Sequence, residues 1–195
     1  MANTIKTCDL LERLSTLFRN EVRQAGLSHG LHPVHLEVLY YLSRCNLFSD
    51  TPAAVKDFLG TTKGTTSQSI TLLENKGYLT KTKDAQDKRV YHLSLTDAGK
   101  DIADQTMPPP SLRHALERCS NDQSSTLEQQ LEALLIDIQN ETRNVSFGLC
   151  KTCIHHAPKN QTLFLCQLTQ KELPRKFGEL ICREHQLKVV SDNGA

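Results

Sequence analysis

TTSQSITLLENKGYLTKTKDAQDKRVYHLSLTDAGK, residues 65–100, changes its hydrophobic period partway along. As far as Gly77, the spacing of Ile70, Leu72 and Leu73 predicts the inner face of a helix, with a hydroxyl-rich first half turned outward. Past Gly77, YLTKTKD and KRVYHLSL carry β-branched and aromatic residues in alternation on either side of the polar AQD, which predicts a hairpin.

Working back toward the N-terminus, TPAAVKDFLG (51–60) reads as a short helix: Thr51 is placed to cap it, Pro52 opens it and Gly60 closes it. A tight turn then joins it to the helix of the opening stretch. Two short helices so joined form a helix-turn-helix, whose second member can lie in a DNA major groove, and the added hairpin makes it a winged helix. LHPVHLEVLYYLSRC (31–45) predicts another helix, with Pro33 in its first turn and Leu36, Leu39, Tyr40 and Leu42 on its apolar face. Residues 4–25 place Leu10, Leu11, Leu14, Leu17, Phe18 and Val22 at helical spacing, ending near Gly26. Residues 124–145 repeat the pattern with Leu127, Leu131, Leu134, Leu135, Ile138 and Val145, and MPPPSL (107–112) interrupts the chain between.

The expected fold class is therefore mainly α with a small β-wing (α+β). It consists of a winged-helix core at about 32–96 inside a unit spanning 1–146, and an extension over 147–195. At 195 residues and 38% hydrophobic content, the chain can bury a real core. The N-terminal MANTIKTCDLLERL is broken by acids, and no stretch is apolar for long enough to cross a bilayer, so no membrane role and a cytoplasmic location are expected. In that setting seven cysteines point to reduced thiols or metal ligands rather than disulfides.

The net charge of +1 conceals a concentration of bases. Residues 61–92 carry six lysines and arginines against three acids, and residues 148–188 carry seven against three. Basic segments in a near-neutral chain suggest an anionic partner.

The same stretch resembles the signature of the MarR family of bacterial transcription regulators. That pattern is a Ser/Thr-rich recognition helix, Leu-Glu-x-x-Gly, a basic strand, Asp-x-Arg in the wing and Leu-Thr-x-x-Gly. Here it falls on Leu73, Glu74 and Gly77, then Lys81 and Lys83, then Asp87 and Arg89, then Leu95, Thr96 and Gly99. The resemblance covers roughly residues 5–146. It implies an obligate homodimer with intertwined terminal helices, repressing from a palindromic operator of double-stranded DNA. It also implies release by a small-molecule effector, an anion or phenolic compound, or by cysteine oxidation. The amphipathic stripes of 4–25 and 124–145 agree with a shared dimer core, since two-fold proteins read two-fold sites.

On the DNA side, bases neutralise phosphates and short polar side chains early in the recognition helix reach base edges. Lys63, Thr65, Thr66, Ser67 and Gln68 suit that role, with Gln68 able to make a bidentate contact to adenine. Lys81, Lys83 and Lys88 add positive charge. Arg89 resembles the wing-tip arginine that enters the minor groove, oriented by Asp87.

Within the extension, Cys150, Cys153, Cys166 and Cys182 follow the spacing C-x2-C-x12-C-x15-C, and His185 lies three beyond the last. Thiolates converging on a metal hold together a segment with few large apolar residues. Zinc, taking four thiolates or three with His185 as the alternative ligand, and an iron-sulfur cluster on the four cysteines are both open. His155 and His156 are expected in solvent or beside the site rather than on the metal. A bare C-x-x-C dithiol leaves Cys166 and Cys182 unexplained. Cys8, Cys45 and Cys119 read as small buried residues or free thiols.

Two function classes follow. The first is a DNA-binding regulator whose metal module senses metal or redox state, or is a purely structural zinc staple beside a small-ligand response. The second, a thiol-dependent enzyme, lacks any nucleotide, nucleophile-elbow or catalytic-metal motif. The module is placed directly after the helix expected in the dimer core, so if it packs on the dimer helices, losing its metal should loosen the spacing of the two recognition helices.

Overall fold

A computed structural model of the chain describes residues 2–142 and 147–187. The first part runs α1 (Ala2–Leu27), α2 (Pro33–Arg44), α3 (Pro52–Leu59), α4 (Lys63–Asn75), β1 (Leu79–Lys83), β2 (Tyr91–Leu95), α5 (Asp97–Thr106), α6 (Pro110–Glu117) and α7 (Asn121–Thr142). Local chemistry fixes several of these bounds. Thr51 accepts from the Ala54 amide at 3.2 Å to start α3, and Gly60 ends it with a left-handed backbone, φ 61°. Thr62 starts α4 in the same way, accepting from the Thr65 amide at 3.2 Å. The Thr96 hydroxyl accepts from the Gly99 amide at 3.1 Å and donates to the Gly77 carbonyl at 2.7 Å, tying the start of α5 to the turn after α4. The helix α6 begins at the prolines where only a break was expected, because a proline in a first turn gives up no helical hydrogen bond.

Helix α2 is the centre of the core. Its Leu36, Val38, Leu39 and Tyr41 are fully enclosed by Val55 of α3, Ile70 and Leu73 of α4, Leu79 and Leu93 of the hairpin and Ile102 of α5. Burial of each such side chain contributes about 1.5–3 kcal/mol. Helix α5 packs so closely on the backbone at Tyr78 that a Cβ at position 99 would sit 1.9 Å from its carbonyl oxygen. Only glycine allows that approach.

The strands β1 and β2 pair antiparallel, from Leu79 opposite Leu95 to Lys83 opposite Tyr91. At the tip, the Asp84 carboxylate accepts from the Gln86 and Asp87 amides at 2.7 Å each, and these bonds hold its pKa down at about 2. The other edge of β2 is held by one bond, from the Leu93 amide to the Asp50 carbonyl at 2.7 Å. Beside it the His92 ring stands between two carboxylates, Nδ1 at 2.6 Å from Asp50 and Nε2 at 3.1 Å from Asp84. Its bond to Asp50, with help from Asp84, raises its pKa above the ordinary histidine value, while burial pushes the Asp50 carboxyl upward. His92 is thus a strut between the wing and the residues leading into α3.

The two long helices differ from this core. No described side chain of α7 is buried, and Leu127, Leu131, Leu134, Leu135 and Ile138 lie exposed along it, as do Leu10, Leu11, Leu14 and Leu17 on α1. Val145, assigned to the same stripe from sequence, lies outside the described residues.

The described C-terminal part consists of short strands and two short 3-10 turns, Cys150–Thr152 and Arg175–Glu179, none of which the sequence signalled. Strand β3 (Gly148–Leu149) pairs antiparallel with β7 (Ile181–Cys182). Strands β4 (His156–Pro158), β5 (Leu163–Cys166) and β6 (Lys171–Pro174) form a three-stranded antiparallel sheet in chain order. Cys150, Phe164 and Leu173 are its buried centre, with Phe48 of the first part packed against them.

Two measurements check this frame. Gly99→Ala should lower stability by about 1–3 kcal/mol in chemical denaturation, because the added methyl has only the Tyr78 backbone to displace. For His92, the raised pKa means that its stabilising contribution is complete below the ordinary value of about 6.5 and is lost as the pH climbs through the raised one. An NMR titration should place its midpoint above that of free histidine, and the stability difference from His92→Gln should shrink between about pH 6 and 8. A midpoint at or below the free value would remove the strut.

Candidate nucleic-acid interface and thiol site

The exposed edge of α4 presents Lys63, Thr65, Ser67 and Gln68 to solvent. Thr66 does not belong with them. Only 4% exposed, it bonds the Thr62 carbonyl at 3.0 Å and the Thr61 hydroxyl at 2.8 Å, which corrects its sequence assignment as a base-reading residue. The reason is helical geometry: 66, 70 and 73 share the inner face, and a hydroxyl can go inward when the preceding turn offers it a carbonyl. The Thr65 hydroxyl lies 3.0 Å from that of the capping Thr62, yet remains at the surface.

Beside this edge projects the wing. Arg89 donates through Nε to Asp87 Oδ1 and through a terminal nitrogen to Oδ2, each at 3.0 Å, while its side chain stays 90% exposed. The fork holds the Asp87 carboxyl below its usual pKa and aims the guanidinium outward. Lys88 donates to the Asp84 carbonyl at 3.2 Å. On the strand, Lys81 lies 3.5 Å from Glu74 of α4, and Lys81 and Lys83 both approach the Tyr91 ring. Lys63 and Ser67 of α4 and Lys81 of the wing strand line one shallow pocket, which joins the recognition edge to the root of the wing.

The second site is a cavity with a space of about 30 Å³, and Cys150, Cys153, Cys166 and Cys182 all line it. Phe48, Phe164, Leu168 and Leu173 make its walls apolar. The Cys150 thiol bonds Cys182, which pushes the Cys182 pKa down to about 6 and that of Cys150 upward. Asn46 Nδ2 donates to Cys150 Sγ at 3.2 Å, and the Gln186 amide to Cys153 Sγ at 3.5 Å. His155 also lines the cavity; its Nε2 and the hydroxyl of Thr169 are buried there with no hydrogen-bond partner among the described residues. His185 is placed elsewhere. It does not line the cavity, and its Nε2 lies 2.9 Å from the Thr152 hydroxyl. Among the described residues no three His, Cys, Asp or Glu side chains are grouped closely enough to hold an ion. Of the other cysteines, Cys8 is exposed, whereas Cys45 and Cys119 are half-buried.

The thiol unit is seated on the loop between α2 and α3. Cys45 bridges Ile181, the Asn46 amide donates to the Ile181 carbonyl at 2.9 Å, and the Arg183 amide donates to the Ser49 hydroxyl at 2.9 Å. Tyr41 of α2 donates to the Ser49 carbonyl at 2.8 Å, and Arg183 pairs with Asp57 of α3 at 2.6 Å. Phe147 closes the seam edge-on against Tyr41 and Phe58. Asn46, Ser49 and Arg183 were not singled out from sequence. Their signal is three-dimensional: a polar residue gains meaning here only from the backbone opposite.

Comparisons with known proteins agree with this geometry. A family profile described as the MarR family matches residues 29–90. No curated protein matches the chain. Among solved structures, a MarR transcriptional regulator from Methanosarcina mazei Go1 is similar at 19% identity, over 69% of this chain and 96% of that one, with a TM-score of 0.57. MepR of S. aureus, solved in complex with DNA, is similar at 19% identity over 67% and 96%, TM-score 0.55. FabT of Streptococcus pneumoniae, also in complex with DNA, is similar at 21% over 69% and 98%, TM-score 0.53. Nearly the whole of each neighbour is thus matched by about two thirds of this chain, and the shared fold is the winged helix of the MarR regulators.

Proposed function

We propose that the chain is a homodimeric DNA-binding transcription regulator, acting as a repressor on a palindromic operator, whose DNA affinity is modulated by a metal centre on its C-terminal thiols. The observation that carries the reading is the exposed Lys63, Thr65, Ser67 and Gln68 edge of α4, joined through Lys81 to a wing whose Arg89 is held outward by Asp87. That MepR and FabT were solved on DNA supports it.

On this reading α4 lies in the major groove. Gln68 offers an amide able to pair with both exposed atoms of an adenine edge, Ser67 and Thr65 supply shorter polar contacts, and Lys63 meets phosphate. Arg89 enters the neighbouring minor groove, where narrow A·T tracts deepen the negative potential. Lys81, Lys83 and Lys88 meet the backbone between. The unburied apolar stripes of α1 and α7 suit a second copy, which sets two recognition helices about one DNA turn apart.

The metal centre would take Cys150, Cys153, Cys166 and Cys182, as zinc or as an iron-sulfur cluster, with an influence on α3 and α4 that runs through the Asn46–Asp50 loop. No step of bond-making on a substrate is assigned to the chain.

Fluorescence anisotropy with DNA from the chain's own promoter tests the reading. Arg89→Ala should weaken binding about tenfold or more, a loss of about 1.4 kcal/mol, with the dimer intact by gel filtration. Gln68→Ala should cost about 1–3 kcal/mol at one base pair and leave random DNA unaffected. Leu131→Glu should yield monomers that no longer bind. Wild-type affinity that ignores salt would exclude phosphate contact and the proposal with it.

A further inference from the structure

We infer that His92 is a positioning residue for DNA binding: its charged ring ties the wing tip that carries Arg89 to the loop before α3, and the grip on DNA loosens as that ring loses its proton. This rests on the reading of the chain as a DNA-binding regulator and adds a pH-sensitive control to it.

The bonds form an unbroken path. The Asp50 carbonyl accepts from the Leu93 amide at 2.7 Å, which holds the loop against β2, and the Asp50 carboxylate reaches the ring, Oδ1 lying 2.6 Å from His92 Nδ1. On the far side of the ring, Nε2 lies 3.1 Å from Asp84 Oδ2. The other oxygen of that carboxylate, Oδ1, accepts from the Gln86 and Asp87 amides at 2.7 Å each and so folds the tip. Asp87 Oδ1 in turn accepts from the Arg89 amide and from Arg89 Nε, each at 3.0 Å. Arg89 stands at the end of this path, and His92 is the member of it whose charge changes near neutral pH.

Two acceptors flank the ring, and only an imidazolium has two N–H groups to give them. Once the ring is neutral, one nitrogen turns a lone pair toward a carboxylate, which ends that bond and makes the contact repulsive. The shorter contact keeps its proton on Nδ1, so Asp84 is the side released. The tip then keeps its own turn and loses its tie to the domain.

The other charged groups nearby are occupied elsewhere or stand off the path. Strand β1 places Thr82 opposite His92 and turns Lys81 and Lys83 to the Tyr91 ring, while Lys88 at the tip bonds the Asp84 carbonyl. In the loop, burial, with help from Asp50, pushes the Cys45 thiol up to about 12 and keeps it neutral. Lys56 and Asp57 of α3 pair with each other at 2.7 Å; on α5, Lys100 pairs with Asp97 at 2.9 Å and Asp104 lines a hollow shared with Asp50. The bond to Asp50, helped by Asp84, outweighs burial and raises the ring's pKa. The tie is therefore complete below the ordinary histidine value of about 6.5 and is lost as the pH climbs through the raised one.

Fluorescence anisotropy of the full-length chain on DNA from its own promoter, at one salt concentration from about pH 5.5 to 8.5, decides the matter. Wild-type affinity should fall about three- to tenfold across that window, the worth of one hydrogen bond, with its midpoint at that of the His92 ring by NMR. His92→Gln, whose amide donates at one end only, should start at the weaker affinity and stay there, so that the two curves meet at high pH. Asp84→Asn keeps an oxygen for the tip amides and offers an N–H to the neutral Nε2, which should remove the fall. Wild-type and His92→Gln curves that drop in parallel overturn the inference, as does an Asp84→Asn curve with the wild-type slope. Should His92→Gln fail to fold, Asp84→Asn decides alone by the same criterion. Salt-dependent binding with a flat wild-type pH curve removes only the role of His92, whereas binding that ignores salt removes the regulator reading as well.

Discussion

A short loop that is bonded on both sides holds the molecule together. Between Cys45 and Asp50, the chain gives its Asn46 amide to Ile181, its Asn46 side chain to Cys150, its Ser49 hydroxyl to Arg183 and its Ser49 and Asp50 carbonyls to Tyr41 and Leu93. Buried backbone groups must find partners, and here those partners come from α2, from the wing strand and from the C-terminal unit. Loops normally run over the surface because they cannot satisfy themselves inside. Here Asn46 and Ser49 go inside because three neighbours complete them.

That placement joins the two halves of the proposed mechanism. Asp50 receives β2 and, through His92, reaches Asp84 at the root of the wing tip. Asn46 reaches the thiols. Between them Ser49 and Asp57 take the backbone and the guanidinium of Arg183, so the strand bearing Cys182 is anchored to α3 itself. A change at the cavity would have these bonds and the Asn46–Asp50 backbone as its route toward the wing. Coupling of this kind needs the loop to have two arrangements.

The winged helix was legible because periodicity carries it: the change from helical to alternating spacing around Gly77, the Thr51 and Pro52 start and the Gly60 stop all reappear in the structure. Thr66 was misread because polarity was taken for exposure, whereas its position on the Ile70 and Leu73 face decided the matter. The C-terminal strands are two to four residues long, too short to show a period, and the apolar Phe164 and Leu173 at their centre are too few to announce a core. The four cysteines were legible as a set. Their seat was not, because it is made by Asn46 and by backbone atoms, which no spacing reveals.

The fork between Asp87 and Arg89 has a consequence for how the protein would approach DNA. A guanidinium paired in this way is nearly neutral when viewed from beyond a Debye length of about 8 Å, so it adds little to attraction at a distance. Steering falls instead to Lys63, Lys83 and Lys88, which no carboxylate neutralises among the described residues. Long-range capture and short-range reading are thus assigned to different side chains. Rising salt would slow the encounter first, and the arginine, already held in shape, would lose little freedom when it finally meets the groove.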